Sequence, residues 1–258
     1  MNIKLTLEYR GTNFFGWQKQ PKVSTIEKNI EDALLVYFNS CLKKQNRSVG
    51  SWDAKLHASG RTDAGVHSRG QVVNFHWPDE IEFKFERFLK SINSLTHDDI
   101  SILTCEQVQN EFHARKCATS KTYTYEILFR NAPPTLESGL VWHLRKLENL
   151  KQMIQSATLF CGEHNFASFR ASDCNASTTI RKVYSSYFHP IENNRIRYSI
   201  TGSGFLKHQV RFIIGALIAL GQNKISEKDI LSMLDGKERP QYKIAPAEGL
   251  CLESVHYD

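Results

Sequence analysis

The spacings that build metal and redox sites are missing from this sequence. Its six cysteines, Cys41, Cys105, Cys117, Cys161, Cys174 and Cys251, form no C-x-x-C pair. That excludes a zinc ribbon or a redox dithiol and leaves a chain of free thiols. None of the ten histidines stands two or four residues from another, so neither a strand nor a helix offers a metal a ready ligand pair. The phosphate loops G-x-x-x-x-G-K-[ST] and G-x-G-x-x-G are absent, and so is the nucleophile elbow G-x-S-x-G. The longest apolar run, Phe212 to Leu220, is too short to cross a bilayer and contains Gly215. A strand pattern starts at Ile3 without a basic segment and apolar core before it, which argues against a signal peptide. These absences lead to the expectation of a cytoplasmic protein with no membrane contact, no metal and no cofactor.

What is present is ordinary in bulk. A chain of 258 residues suits one large domain or two closely packed halves. Its 41% hydrophobic and 23% charged content is that of a globular protein. The formal net charge of +6 permits a polyanionic partner without requiring one.

Periodicity supplies the elements. Ile3, Leu5, Leu7 and Tyr9 alternate with polar residues and read as a strand. Ser24 and Glu27 form a capping-box pattern for a helix carrying Ile26, Ile30, Ala33, Leu34, Tyr37 and Phe38 on one face. Residues 40–52 read as a polar loop, residues 71–75 as a short strand, and residues 82–95 as a helix with Phe85, Phe88, Leu89 and Ile92 aligned. Thr122 to Phe129 reads as a strong strand and 131–140 as a connector. In the second half, Leu150, Met153, Ile154 and Ala157 mark a helix. Residues 181–189 and 195–201 read as paired strands with Asn193-Asn194 in the turn. A helix is expected from Phe205 to Leu220, a short one capped by Ser226, and a final strand over 249–257. Adjacent strands without regular helical crossovers favour an α+β fold, in two halves with helices packed on mainly antiparallel sheet.

The chemistry concentrates in one stretch, HASGRTDAG, from His57 to Gly65. A turn needs glycine and aspartate, but it does not need Arg61 two residues before Asp63. The alternatives are a plain surface turn and a carboxylate held on a loop beside a cation. Lys207 and Arg211 lie four apart on the helix expected from Phe205, so one face presents two cations. Tyr123 on its half-buried strand offers a flat ring for stacking, or simply packs in the sheet. Arg115, Lys116 and Lys121, then Arg170, Arg181 and Lys182, interleave with aromatics, which suits nucleic acid or a solvated charged face.

Several blocks in order resemble the bacterial tRNA pseudouridine synthase A family: LEYRGTNFFGWQKQP, GRTDAGVHSRGQVVNF, FHARKCATSKTYTYEI, GEHNFASFRASDC, GFLKHQVRFIIGAL and APAEGLCLESVHY. They span nearly the whole chain. Departures are few. Arg10 stands where aspartate is usual, and Gln209 and Phe212 stand where methionine and asparagine are. The resemblance implies isomerisation of uridine to pseudouridine at positions 38, 39 and 40 of the tRNA anticodon stem-loop, without cofactor or metal. It implies a pseudouridine-synthase-like fold of two similar halves. Residues 1–110 would carry the catalytic loop and residues 111–258 the stacking tyrosine and the arginine helix, with the active-site cleft between them. A homodimer is implied as well. Asp63 is expected to act as nucleophile, or as a base on the sugar, with Arg211 as its cation. Arg61 is expected to fill the space left by a flipped base. Tyr123, Leu250, Phe205 and Lys207 are expected to bind substrate. Two other classes remain open to the residues alone. One is a non-catalytic RNA-binding protein of the same fold. The other is a hydrolase, which would normally use a second carboxylate.

Overall fold

The structure, a computed structural model, describes residues 1–189 and 193–258. Its strands pair almost entirely antiparallel and its helices pack on them, an α+β arrangement. Contacts divide the chain into two units, Met1–Thr119 with Leu252–Asp258, and Ser120–Cys251.

In the first unit, β1 (Asn2–Tyr9) buries Ile3, Leu5 and Leu7 completely, while Lys4 and Thr6 stay partly exposed. This is the period-two alternation of a strand with one face on a core. Its neighbours are β3 (His67–His76) and β4 (Ile100–Val108), both antiparallel to it, and β2 (His57–Ala58) pairs antiparallel with β3. The closing strand β10 (Leu250–Tyr257), in this unit from Leu252 onward, lies beside β3, giving the order β4-β1-β3-β10. Helices α1 (Ile26–Lys44) and α2 (Phe85–Leu95) pack against each other, and α2 packs on β4. Between helices and sheet lies an aromatic core. Phe88, fully buried, stands edge-on to Tyr37 at 5.1 Å and 4.8 Å from Phe83. Trp77 packs on Phe38, Trp52 and Phe83, and its indole N–H donates to Ile81 O at 2.8 Å.

In the second unit, β5 (Ala118–Phe129), β9 (Arg195–Gly202), β8 (Ile180–Phe188) and β7 (Gly162–Asn165) follow one another across the sheet, with β6 (Trp142–Leu144) parallel to β5. Helix α3 (Leu150–Ser156) packs against α4 (Gln209–Gly221). Every residue of α4 from Ile213 to Gly221 is buried, as expected of a helix that is apolar all round. Helix α5 (Glu227–Leu234) begins at Ser226 with the full reciprocal cap, Asp229 being its partner. Asn193 and Asn194 take the positive φ of a tight turn, 50° and 62°.

Several expectations need correction. Thr25, not Ser24, caps α1: its hydroxyl accepts from Lys28 N. With Thr25 as the cap, the third helical position is Lys28, so Glu27 completes no box, and its carboxylate accepts from Lys19 N at 2.7 Å. The helix also runs on to Lys44, since Cys41 and Leu42 are buried, so the loop expected at 40–52 begins later. Both β3 and β5 are longer than their apolar runs suggested. Strand β4 escaped the sequence reading because only Ile100 and Ile102 of its nine residues are buried. Helix α4 starts at Gln209 rather than Phe205. His208 takes left-handed φ of 64°, and Gln209 closes a turn back on Leu206 through Gln209 N to Leu206 O and Leu206 N to Gln209 Oε1. Lys207 therefore lies outside the helix and shares no helical face with Arg211.

Truncating Phe88 to alanine removes the side chain on which α1, α2 and the 83–85 segment meet. Urea unfolding of Phe88→Ala is expected to show a loss of about 3–5 kcal/mol, with little change in the slope against urea.

Candidate active site

The GRTDAG segment is the loop that joins β2 to β3, and buried polar groups fasten its root. Ser59 N donates to Val72 O at 2.8 Å, and the Ser59 hydroxyl donates to Gln71 Oε1 at 2.7 Å. The same Gln71 oxygen accepts from Val72 N at 3.1 Å. Its amide nitrogen donates to Gly60 O at 2.9 Å and to the Tyr9 hydroxyl at 3.4 Å. Ser59 and Gln71 are both fully buried. A side-chain amide has two acceptor and two donor positions, and Gln71 uses all of them.

Further along, Thr62 is the anchor. Its hydroxyl shares a 2.8 Å hydrogen bond with Tyr9, and its carbonyl accepts from Trp17 N at 3.0 Å. Val66 N then closes the turn onto Asp63 O at 3.1 Å. With Thr62 buried, its neighbours face outward: Arg61 is exposed and Asp63 half-buried. The second support is backbone. Gly16 has φ +87°, and a Cβ there would sit 2.8 Å from Thr62 O and 3.1 Å from Ala64 N and the Asp63 carbonyl carbon. The FFGW stretch thus lies directly against the carbonyl side of the carboxylate's own residue. Only glycine allows that approach.

The remaining candidates belong to the second unit, and the structure brings most of them into contact with named partners. Tyr123, on β5, is only 9% exposed, and Phe205 stands edge-on to it at 5.3 Å and 86°. Phe205 is the more exposed ring of the two. Arg211, in the first turn of α4, donates from Nε to Ala245 O at 2.8 Å, while Ala245 N donates back to Arg211 O at 3.2 Å. The 245–249 segment that holds it is itself fixed by Tyr125. The buried Tyr125 hydroxyl donates to Pro246 O at 2.9 Å, and Gly249 lies so close to the Tyr125 ring that a Cβ would come within 2.6 Å of it. Burial pushes the Tyr125 phenol far above its usual value, with the Arg211 guanidinium acting against that rise and Glu248 adding to it. The hydroxyl therefore stays a neutral donor. Leu250 follows directly and is buried. Lys207 is taken up in an exposed ion pair with Asp173 at 2.6 Å, and the hydrogen bond from its ammonium group holds the Asp173 carboxyl below its usual value.

Sequence reading singled out none of Tyr9, Gly16, Thr62, Gln71 and Tyr125 for a supporting task. All five lie inside the recognised blocks as strand or loop residues. Their polar atoms point inward, which alternation alone does not reveal. Among the described residues no cluster of three histidine, cysteine or acidic side chains is arranged to hold a metal, and no helix is long and apolar enough to cross a membrane.

Comparison with known proteins covers both units. The family model described as tRNA pseudouridine synthase matches residues 6–115 and 156–258. A tRNA pseudouridine synthase A from Geotalea daltonii is 40% identical over 257 residues, 99% of this chain and 99% of that protein. A tRNA pseudouridine synthase A 2 from Clostridium perfringens is 36% identical over 257 residues, again 99% of both chains. One from Citrifermentans bemidjiense is 38% identical over 258 residues, covering 99% of this chain and 97% of that protein.

The Gly16 contact gives a direct check on the loop's support. Gly16→Ala forces a side chain into positive φ and against the Thr62 carbonyl, so chemical denaturation should register a loss of about 1–3 kcal/mol. An unchanged unfolding midpoint would mean that the loop yields freely.

Proposed function

The chain belongs to the tRNA pseudouridine synthase family, and we propose that it converts uridine to pseudouridine in tRNA, at positions 38, 39 and 40 of the anticodon stem-loop. The observation that carries this reading is the Asp63 loop. A half-buried carboxylate sits on a segment fixed from below by Gln71, Thr62 and Gly16, with an arginine two residues away whose side chain is free to reach into solvent. Such a loop suits a reaction that needs one well-positioned carboxylate and close approach by a large substrate.

The reaction conserves atoms. The bond from sugar C1′ to uracil N1 breaks, the base turns, and C1′ bonds to C5. The C5 proton is lost and N1 gains one, so no oxidant or reductant is needed. Asp63 supplies the nucleophilic carboxylate. The reacting nucleotide must leave its stack at a cost of about a few kcal/mol, and Arg61 takes the vacated space. The Tyr123–Phe205 pair, already locked edge to face, receives the base, with Leu250 as apolar wall. Arg211 contributes the cation of the reaction, its guanidinium aimed by Ala245. Lys207, paired with an exposed carboxylate that RNA phosphate can replace, contributes to substrate binding. In this division of labour residues 1–110 carry the carboxylate and residues 111–258 the aromatic pair and the guanidinium. The working assembly proposed is a homodimer acting in the cytoplasm.

Asp63→Asn keeps the shape and removes the charge. Pseudouridine formation on an unmodified tRNA transcript, followed by release of label from uracil C5, should fall about a thousandfold or more. Filter binding should stay near wild type, because phosphate contacts supply most of the affinity. Residual turnover near the wild-type rate removes Asp63 from the chemistry, and free uracil as product would make the enzyme a hydrolase.

Arginine's planar fork fixes direction where lysine offers a point charge. Arg211→Lys is therefore expected to lose about tenfold to a hundredfold in turnover, and Arg211→Met nearly all of it. Equal, small losses in both variants would reduce Arg211 to a structural link to Ala245.

A further inference from the structure

Apart from the Asp63 loop, the first unit carries a second assembly of titratable groups. His57, on β2, and His113, in the segment after β4, stack with ring centroids 4.5 Å apart and planes 35° from parallel. Buried amides hold the segment that carries His113. Asn2, fully buried, donates to Gln109 O and Phe112 O, each at 2.9 Å. Asn74, 1% exposed and opposite His57 in the β2–β3 register, donates to Asn2 Oδ1 at 3.0 Å and Phe112 O at 3.2 Å. It also accepts from Ala114 N at 2.9 Å, and the Tyr257 hydroxyl donates to Ala114 O at 2.7 Å. Ala114 is fully buried between them, while Arg115 and Lys116 are exposed. The segment is thus a rigid mount that sets His113 against His57 and leaves two cations outside.

We propose that the stacked His57–His113 pair, flanked by Lys55, His76, Arg115 and Lys116, is a phosphodiester-binding site for the tRNA backbone, separate from the loop that carries Asp63. The proposal rests on the tRNA-directed function given above. Three observations favour an anion over a metal. Among the described residues, no group of three histidine, cysteine or acidic side chains is arranged to hold a metal. His113 Nδ1 already accepts the Arg115 backbone N–H at 3.2 Å, which leaves Nε2 as an outward donor. Apart from the effect of His113 on His57, the permanent charges that bear on the two rings, those of Lys55, Lys116 and Arg115, are all positive, and they repel a divalent cation as they attract a phosphate. Cys117 Sγ, on the same segment, accepts from His113 N at 3.4 Å.

The site has a proton linkage. Burial, and then the neighbouring positive charges, hold both imidazoles below the usual histidine value. A phosphate placed against them offsets those charges and favours the protonated form. Binding therefore takes up a proton, chiefly at His57, because His113 Nδ1 is occupied as an acceptor. By linkage, affinity for RNA rises as pH falls through the histidine range.

The test uses the full chain with selectively 13C-labelled histidine and an unmodified tRNA transcript. The His57 titration should move up by about one unit on saturation with transcript, equivalent to about a tenfold gain in affinity as pH falls from above the bound value to below the free one. His57→Gln with His113→Gln should lose that gain and flatten the slope of log affinity against log salt by about one. Inorganic phosphate alone serves as the second probe: a shift with phosphate and none with transcript overturns the RNA assignment. If the double variant melts earlier than wild type, the wild-type titration decides, and an unmoved His57 under saturating transcript overturns the proposal. Binding that ignores both histidines overturns it alone. A wild-type chain that binds no transcript overturns the functional reading and this site with it.

Discussion

The Gln71 amide is the interaction on which the candidate site depends. A loop that must offer a carboxylate to a large substrate cannot be buried, yet it cannot wander either. Gln71 reconciles the two demands from below, because it is tied to Ser59 just after β2, to the Gly60 carbonyl and to β1 at once. A buried polar group that is half satisfied costs more than it gives, whereas a saturated one fixes a unique geometry. Thr62 and Gly16 extend the same logic by one residue each, so the backbone is settled on both sides of Asp63 before any substrate arrives.

Arg211 is held by comparable means in the second unit. Its side chain and its carbonyl both meet Ala245, and Tyr125 grips the next residue through Pro246. The Nε bond to Ala245 O sets the plane of the guanidinium. The segments that carry the candidate side chains are thus fixed, in each unit, by neutral hydrogen-bonding groups.

Much of this was legible in the sequence where one force dominated. Strand β1 and helix α5 announced themselves, the first through strict alternation and the second through Ser226 and its cap. The loop around Asp63 was legible because glycine on either side marks a turn between strands. The start of α4 was not. Phe205 and Leu206 continue an apolar spacing, and nothing in the spacing reports that His208 turns left-handed and ends it. Strand β4 was hidden for the opposite reason, since most of its side chains are exposed. The braces under Asp63 were invisible as braces: Gln71 and Thr62 read as strand and loop residues until the register of β2 on β3 places them beneath the loop.

The last strand of the chain bears on how the protein comes into being. Residues from Leu252 onward belong to the first unit, where they lie against β3, yet the whole second unit is synthesised before them. A growing chain can complete the unit that carries Tyr123 and Arg211 while the sheet beneath Asp63 still has an unpaired edge, and such edges invite pairing with the wrong partner. Emergence of the final residues closes that edge, and with it the strand from which Gln71 reaches the loop. A chain made only as far as Cys251 therefore holds Tyr123, Phe205 and Arg211 in the second unit, while the sheet that carries Gln71 still lacks its neighbour beside β3.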